Sequence, residues 1–167
     1  SAGAFKFYFL DGIPVVKIAD KDNGNIITTI LSGSEAIQTG QWTHVAINVS
    51  PTEISLFVDG EQKAAKTAAF SNWTAVDISG FEAGDTTFVL GVGDNNFKGY
   101  LDEVRFWDIQ RSADDIYRDY ERILTGEEDD LISYLRMDEG FGNSVYDVSN
   151  VRGDYNKNHF TADTLIW

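Results

Sequence analysis

Apolar and polar residues alternate over short runs through most of the chain, and turn sequences separate the runs. Because side chains of a strand point alternately to the two faces of a sheet, this pattern predicts strands. We predict them over 5–10, 15–19, 25–31, 42–49, 54–58, 61–65, 86–92 and 97–108. Asp11-Gly12, Asn23-Gly24 and Asp59-Gly60 lie between such runs and predict tight hairpin turns. The chain is therefore predicted to be an all-β sandwich.

One segment has a helical period instead. Ser112 can cap a helix N-terminus, and Asp115 occupies the position at which a capping box usually has Glu. We predict a helix over 113–124 that ends before Gly126. Its apolar stripe, at spacings of three and four, consists of Ile116, Tyr120, Ile123 and Leu124.

The strand predicted over 97–108 organises the rest of the chain. Alternation places Tyr100, Asp102, Val104 and Phe106 on one face, which we expect to lie against a core. A carboxylate on an apolar face must be hydrogen-bonded, ion-paired or bound to a metal. Asp102 is therefore predicted to be either a buried structural residue, which is the favoured reading, or a metal ligand.

The order and spacing of several segments resemble a laminin-G-like jelly roll. The segments are Gln-Trp-Thr-His-Val-Ala at 41–46, Leu-Phe-Val-Asp-Gly at 56–60, Leu-Gly at 90–91, Phe-Lys-Gly-Tyr-Leu-Asp-Glu-Val-Arg-Phe-Trp at 97–107 and Ser-Ala-Asp-Asp-Ile at 112–116. Such domains belong to the concanavalin-A-like lectin/glucanase superfamily. The resemblance implies a jelly-roll sandwich of two antiparallel sheets with one short helix.

The same resemblance sets expectations about domain organisation. Residues 131–167 resemble the closing segment of such domains in bacterial surface proteins, which favours a single domain over 1–167. Family members usually carry one or two strands before the equivalent of Phe5. We therefore expect the chain to be a piece of a longer multidomain protein, with neighbouring domains among its partners.

Composition narrows the classes of partner. The net charge is −14 and the pI about 4.3, which argues against nucleic acid and against anionic membrane surfaces. No apolar run is long enough for a membrane span, so no membrane insertion is expected. Divalent cations, basic partners and neutral sugars remain compatible with this charge. The chain has no Cys, which excludes disulfides but not secretion.

Because the superfamily includes glucanases, glycoside hydrolysis is one possible function. Retaining hydrolysis needs two carboxyl groups about 5–5.5 Å apart at one glycosidic bond. Those glucanases carry Glu-x-Asp-x-x-Glu on the corresponding strand, whereas this chain has adjacent Asp102 and Glu103, which point to opposite faces. We predict that the protein is not an enzyme.

Calcium is the one cofactor that the resemblance suggests. In pentraxins, which are relatives of this fold, the loop before the central strand supplies calcium ligands. Here that loop contains Asp94 and Asn95, whose oxygens are of the kind that calcium prefers. Asp94, Asn95 and Asp102 are the candidate ligands. The competing interpretation is that Gly-Asp-Asn-Asn is an ordinary turn.

The leading prediction is a non-catalytic extracellular or cell-surface module for recognition or adhesion, lectin-like, that binds a glycan or a protein with or without calcium. Lectin sites stack an aromatic ring on a sugar, and Trp73, in a polar region, is the candidate ring. Packing at the edge of the core is the alternative role for Trp73. The alternative functions are a structural spacer in a large surface protein and a glycan-active hydrolase.

Overall fold

The structure is a computed structural model, and it describes residues 4–22, 25–67, 98–150 and 160–161. Its elements, in chain order, are β1 (Ala4–Leu10), β2 (Ile13–Asp22), β3 (Asn25–Ser32), β4 (Val45–Val49), β5 (Glu53–Val58), β6 (Glu61–Thr67), β7 (Val104–Trp107), α1 (Ala113–Asp119), β8 (Leu131–Leu135), β9 (Ser144–Val145) and β10 (Phe160–Thr161). Every paired strand is antiparallel. In this part of the chain, the predicted all-β fold with one short helix is confirmed.

The chain divides into two compact units. Unit 1 consists of 1–78 and 110–122, and unit 2 consists of 79–109 and 123–167. Unit 1 contains the sheets β1-β2-β3 and β4-β5-β6 together with α1. Unit 2 contains the two-stranded sheets β7-β8 and β9-β10. A single domain over 1–167 stays a prediction.

The hairpins of unit 1 form where the sequence predicts them. At both Asp11-Gly12 and Asp59-Gly60, the two turn residues have positive φ, at 51° and 79° in the first turn and 49° and 78° in the second. This is the backbone that the commonest two-residue hairpin turn requires, and its twist matches the twist of the strands. The pairing of Asp22 with Asn25 closes the third predicted hairpin.

The two sheets of unit 1 pack face to face over an apolar core. Val16 and Ile18 lie on one face of β2, because they are two residues apart, and Ile54 and Leu56 do the same on β5. Together with Leu31 they form a buried cluster, and each such side chain contributes about 1.5–3 kcal/mol when fully buried. This packing is the sandwich that the alternation predicts.

Helix α1 begins at the predicted cap. The Ser112 hydroxyl accepts a hydrogen bond from the Asp115 backbone N–H at 3.1 Å and donates one to the Asp115 carboxylate at 2.6 Å. The helix lies close to the turn after β5, since a Cβ on Gly60 would come within 3.0 Å of Tyr117 and 2.9 Å of Tyr120. Gly60 is therefore required both by its positive φ and by lack of space.

The end of α1 differs from the prediction. The helix ends at Asp119, and Ile123 is 68% exposed rather than part of a buried stripe. The N–H of Arg122 bonds to the carbonyl of Asp119, which is a tighter i to i+3 turn that takes the chain out of the α-helical path. Gly126, with φ 86°, lies in a later turn, where a Cβ would collide with the carbonyl oxygen of Val148.

The strand predicted over 97–108 is also shorter than expected, because it begins only at Val104. Glu103 has φ 53°, a left-handed conformation that interrupts the alternation before the strand starts. The prediction that Tyr100 and Asp102 lie against a core is wrong, since both are exposed. Trp107, which alternation places on the opposite face, packs instead against the core of unit 2.

The core of unit 2 is formed by Leu124, Leu131 and Tyr134. Beside it, the buried carboxylate of Asp147 accepts hydrogen bonds from the backbone N–H groups of Tyr134 and Ser149, each at 2.9 Å. The bond to Ser149, two residues on, is the local side-chain-to-backbone pattern typical of Asp in turns. Asp147 thus fixes the chain that follows β9.

Candidate ligand-binding site

The structure describes only one of the four residues predicted to bind a ligand or a metal. Trp73, Asp94 and Asn95 lie outside the described residues, and their roles stay predictions. Asp102 lies in the described part of unit 2, where its Oδ1 accepts a hydrogen bond from the Glu103 N–H at 2.9 Å. Although Asp102 is exposed, neighbouring atoms partly desolvate its carboxyl group and raise its pKa, and the hydrogen bond from the Glu103 N–H opposes that rise.

A metal site at Asp102 is not assembled by the described residues alone. Across 4–22, 25–67, 98–150 and 160–161, no group of three or more His, Cys, Asp or Glu side chains could hold a metal ion. Asp102 as a calcium ligand therefore depends on the residues around Asp94, as the resemblance to pentraxins implies. That role stays a prediction.

Glu103 makes a compact polar cluster with two neighbours in unit 2. Its Oε2 accepts hydrogen bonds from the Arg105 guanidinium and from the Tyr134 hydroxyl, both at 2.6 Å. The guanidinium also lies over the Tyr134 ring, 5.5 Å from the centroid. Burial, together with the bond to Glu103, raises the pKa of Tyr134 to about 12. The cluster links β7 to β8, and the Glu103 carboxylate has a structural role in it.

A separate pocket of about 300 Å³ is formed by the segment 139–146, which follows β8 and includes β9. Its lining combines aromatic rings, an amide, a hydroxyl and a carboxylate. The lining residues are Glu139, Phe141, Gly142, Asn143, Ser144 and Tyr146. We call this the 139–146 pocket. All of it belongs to unit 2.

Local backbone chemistry explains why the pocket is open. Gly140 and Gly142 have φ of 72° and 81°, values that side-chain-bearing residues rarely adopt, and they flank Phe141. The turn between them leaves the Phe141 ring 81% exposed. At the other end, the N–H of Tyr146 donates a 2.8 Å hydrogen bond to Oε1 of Glu139, which closes the loop. Buried Val145 anchors that end in unit 2.

The lining groups suit a saccharide. Aromatic faces pack against the C–H face of a sugar ring, while amide, hydroxyl and carboxylate groups can bond its hydroxyls. Phe141 and Tyr146, which is 52% exposed, supply the rings. A single exposed apolar residue is ordinary on a protein surface. Two exposed rings in one pocket with three polar side chains are more specific.

None of these residues is predicted from the sequence to form a site. The sequence predicts 131–167 only as a closing segment of the fold, and it points to Trp73 as the lectin ring. The signal was present as Gly140-Phe141-Gly142-Asn143-Ser144, an aromatic residue between two glycines that begins five residues after the buried strand β8 ends. Glycines that hold an aromatic side chain outside the core leave it available to a ligand.

Unit 1 contains a second, shallower pocket of about 300 Å³ beside the start of α1. Its polar groups are largely bound within the protein. The Asn48 side chain donates to the Arg111 carbonyl at 2.7 Å and accepts from the Arg111 N–H at 3.2 Å, while the Ser55 hydroxyl donates to Glu53 at 2.8 Å. These hydrogen bonds hold the segment before α1 against the β4-β5-β6 sheet, and we infer that their role is structural.

Residues 1–117, which are 70% of the chain, match the family model of laminin-G type described as the concanavalin A-like lectin/glucanases superfamily. The chain belongs to this superfamily. The predicted relationship and the jelly-roll class are thereby confirmed. The superfamily name covers both lectins and hydrolases, so membership gives the fold and leaves the activity open. The match ends before the 139–146 pocket, so membership of the superfamily assigns no role to that pocket.

A crystal structure of an S-layer domain-containing protein from Clostridium thermocellum ATCC 27405 (residues 221–444) is similar to this chain, with 19% identity and a TM-score of 0.39. The likeness covers 70% of this chain and 62% of that one. Among curated proteins, none matches the chain. The described segments contain no helix of the length and apolarity needed to cross a bilayer.

Proposed function

We propose that this protein is a non-catalytic recognition module of the cell surface or extracellular space, and that it binds a glycan in the 139–146 pocket. The observation that carries the proposal is the presence of Phe141 and Tyr146, both exposed, in one pocket with three polar side chains. At about 300 Å³, the pocket is at the small end of the range for ligand sites. We expect it to hold one or two sugar rings.

The non-catalytic part of the proposal is supported by how the acidic residues of the predicted central strand are used. Glu103 is engaged by Arg105 and Tyr134, and Asp102 by the backbone of its neighbour. A carboxylate held by a guanidinium and a phenol serves the fold, which supports a structural role for Glu103 rather than a role in the carboxyl pair that glycoside hydrolysis needs. The superfamily contains lectins, which supports binding as the function of this member.

The test removes the ring of Phe141, one of the two exposed rings in the pocket. Phe141→Ala removes a stacking surface that is already in solvent, so we expect no loss of folding stability. Screening on a glycan array, followed by calorimetry with the best ligand, should show an affinity at least about tenfold lower than that of the wild type. Ile123→Ala is the matched control, because Ile123 is an exposed apolar residue outside the pocket.

Two results would reject the proposal. One is equal affinity of the wild type and Phe141→Ala for the same oligosaccharide, which would place binding elsewhere, for example at Trp73. The other is absence of binding to any glycan on the array. In that case the spacer role, or recognition of a protein, becomes the better interpretation.

A further inference from the structure

The carboxylate of Glu139 has an uncommon environment for a charged group. Its Oε1 accepts the hydrogen bond from Tyr146, while its Oε2 is shielded from solvent and has no hydrogen-bond partner among the described residues. The nearest basic residue in sequence, Arg136, is ion-paired with Asp138 at 2.9 Å. In the described part of the chain, no ion pair neutralises Glu139.

An uncompensated charge at this position affects which ligands the pocket attracts. A carboxylate shielded from water is less screened than one in bulk solvent, so its field on a nearby ligand is stronger. Aromatic faces also attract cations, through the negative charge density above and below the ring. Glu139, Phe141 and Tyr146 therefore favour a positive group in the same pocket.

We propose that the 139–146 pocket selects saccharides that carry a protonated amino group, as a deacetylated hexosamine does, over neutral sugars and against uronic acids. This inference rests on the proposed function. A lysine side chain would offer the same charge, but it has no hydroxyls for the Asn143 amide and the Ser144 hydroxyl to bond. Uronic acids are repelled by Glu139 and by the net charge of −14.

The experiment compares three oligosaccharides of equal length: glucosamine oligomers, their N-acetylated counterparts and galacturonic acid oligomers. Their affinities are measured by calorimetry for the wild type, Glu139→Gln and Asp138→Asn. Glu139→Gln removes the charge but keeps a carbonyl oxygen that can accept the Tyr146 bond. Asp138→Asn removes a neighbouring charge that is already ion-paired, and it is the matched control.

We expect the wild type to bind glucosamine oligomers about tenfold more tightly than the N-acetylated form. Glu139→Gln should abolish that preference, and Asp138→Asn should retain it. In the wild type the preference should also fall as the salt concentration rises. The salt series keeps the proposal testable if Glu139→Gln proves unstable in a thermal melt.

The outcomes separate this inference from the proposed function. Equal affinity for the aminated and neutral oligomers, or a preference that survives in Glu139→Gln, overturns the charge selection while glycan binding stands. If no oligosaccharide binds, the proposed function fails as well. If a lysine oligomer binds in a Glu139-dependent manner and no saccharide binds, the ligand is a basic peptide. That result would overturn both the proposed glycan binding and the charge selection among saccharides.

Discussion

The hydroxyl of Tyr134 donates a 2.6 Å hydrogen bond to Oε2 of Glu103, the same oxygen that accepts from Arg105. The phenol oxygen also accepts the N–H of Leu124 at 3.2 Å. Tyr134 is fully buried, and its bond with the Leu124 N–H lies away from water, while Glu103 is partly exposed. This single side chain joins the start of β7, the strand β8 and the chain that leads into β8.

Replacement of Tyr134 by Phe should destabilise the protein on the order of 2 kcal/mol, because Glu103 and the Leu124 N–H each lose a partner. The folded-state pKa of Tyr134, about 12, is above the unfolded value of about 10. Its contribution to stability is therefore complete below pH of about 10 and is lost as the pH rises through about 12. Urea unfolding of both proteins across this range measures the effect.

An ultraviolet titration gives the spectroscopic counterpart of that prediction. The chain has seven tyrosines, and the wild type should show one of them ionising near pH 12, a step that is missing from Tyr134→Phe. Tyr146→Phe, which changes an exposed tyrosine, is the control and should keep the late step. A Tyr134→Phe protein with an unchanged titration curve would contradict the assignment.

Asp147 should be sensitive to loss of its acceptor oxygen and tolerant of loss of its charge. Asp147→Ala leaves two buried N–H groups without an acceptor and should cost about 3 kcal/mol of unfolding free energy. Asp147→Asn keeps a carbonyl oxygen at the same place and should cost much less. Chemical denaturation of the two variants distinguishes them, and equal losses would mean that the charge itself is required.

Asp119 should make the protein sensitive to acid. It is buried and accepts hydrogen bonds from Arg111, Arg118 and Arg122, and the bond from Arg118 is the main cause of its lowered pKa. A lowered pKa gives stability that is complete above the unfolded value, about 4, and is lost as the pH falls through the folded value. Asp119→Asn should therefore cost on the order of 2 kcal/mol at neutral pH and progressively less in acid.

The measurement for Asp119 is thermal unfolding of the wild type and Asp119→Asn from neutral pH down to strong acid. The two midpoints should converge below pH of about 4. Asp115→Asn provides a comparison in the same helix, because Asp115 is partly exposed and its ion pair with Arg118 contributes little. Midpoints that remain equally separated at all pH values would show that the Asp119 charge is not the origin of the difference.

Gly140 should control the shape of the 139–146 pocket through its backbone. Among the described residues, a Cβ at this position would meet no atom within 4 Å, so the cost of Gly140→Ala is conformational, about 1 kcal/mol for a left-handed residue. We expect weaker glycan binding together with a small loss of stability. Gly140→Asn should retain more of both, because Asn tolerates this conformation better than Ala does. An alanine variant with unaltered binding would show that the loop does not need this turn.

The calcium prediction is tested by melting the protein in excess EDTA and then in millimolar calcium. An ion held by Asp94 and Asn95 stabilises only the folded state and should raise the midpoint by several degrees. Asp94→Ala should remove that shift. The same shift in Asp94→Ala, or no shift in the wild type, would contradict a site at this loop.

The features that the sequence predicts well are governed by local chemistry. The Asp-Gly pairs place the hairpins, the period-two pattern places Val16, Ile18, Ile54 and Leu56 in the core, and Ser112 marks the start of the helix. Each of these depends on residues a few positions apart. A short sequence window therefore contains the information that determines them.

The features that it misses depend on partners far along the chain. Glu103 takes a left-handed conformation in a cluster with Tyr134, 31 residues away, and no nearby residue signals this interruption of the strand. The exposure of Phe141 follows from turns whose direction a helix or strand pattern does not encode. The Glu103 cluster becomes visible only when the tertiary contacts are known, whereas the glycines beside Phe141 are a local signal.

The described residues that line the 139–146 pocket all come from one continuous stretch of chain, closed on itself by the bond between Glu139 and Tyr146. On the proposed function, ligand specificity would be encoded in a short stretch that can be exchanged as a unit, while the buried residues Leu135, before the stretch, and Val145, within it, stay as they are. Related domains could diversify their ligands by changing this loop alone. The same property makes the loop a practical position for grafting new recognition sequences.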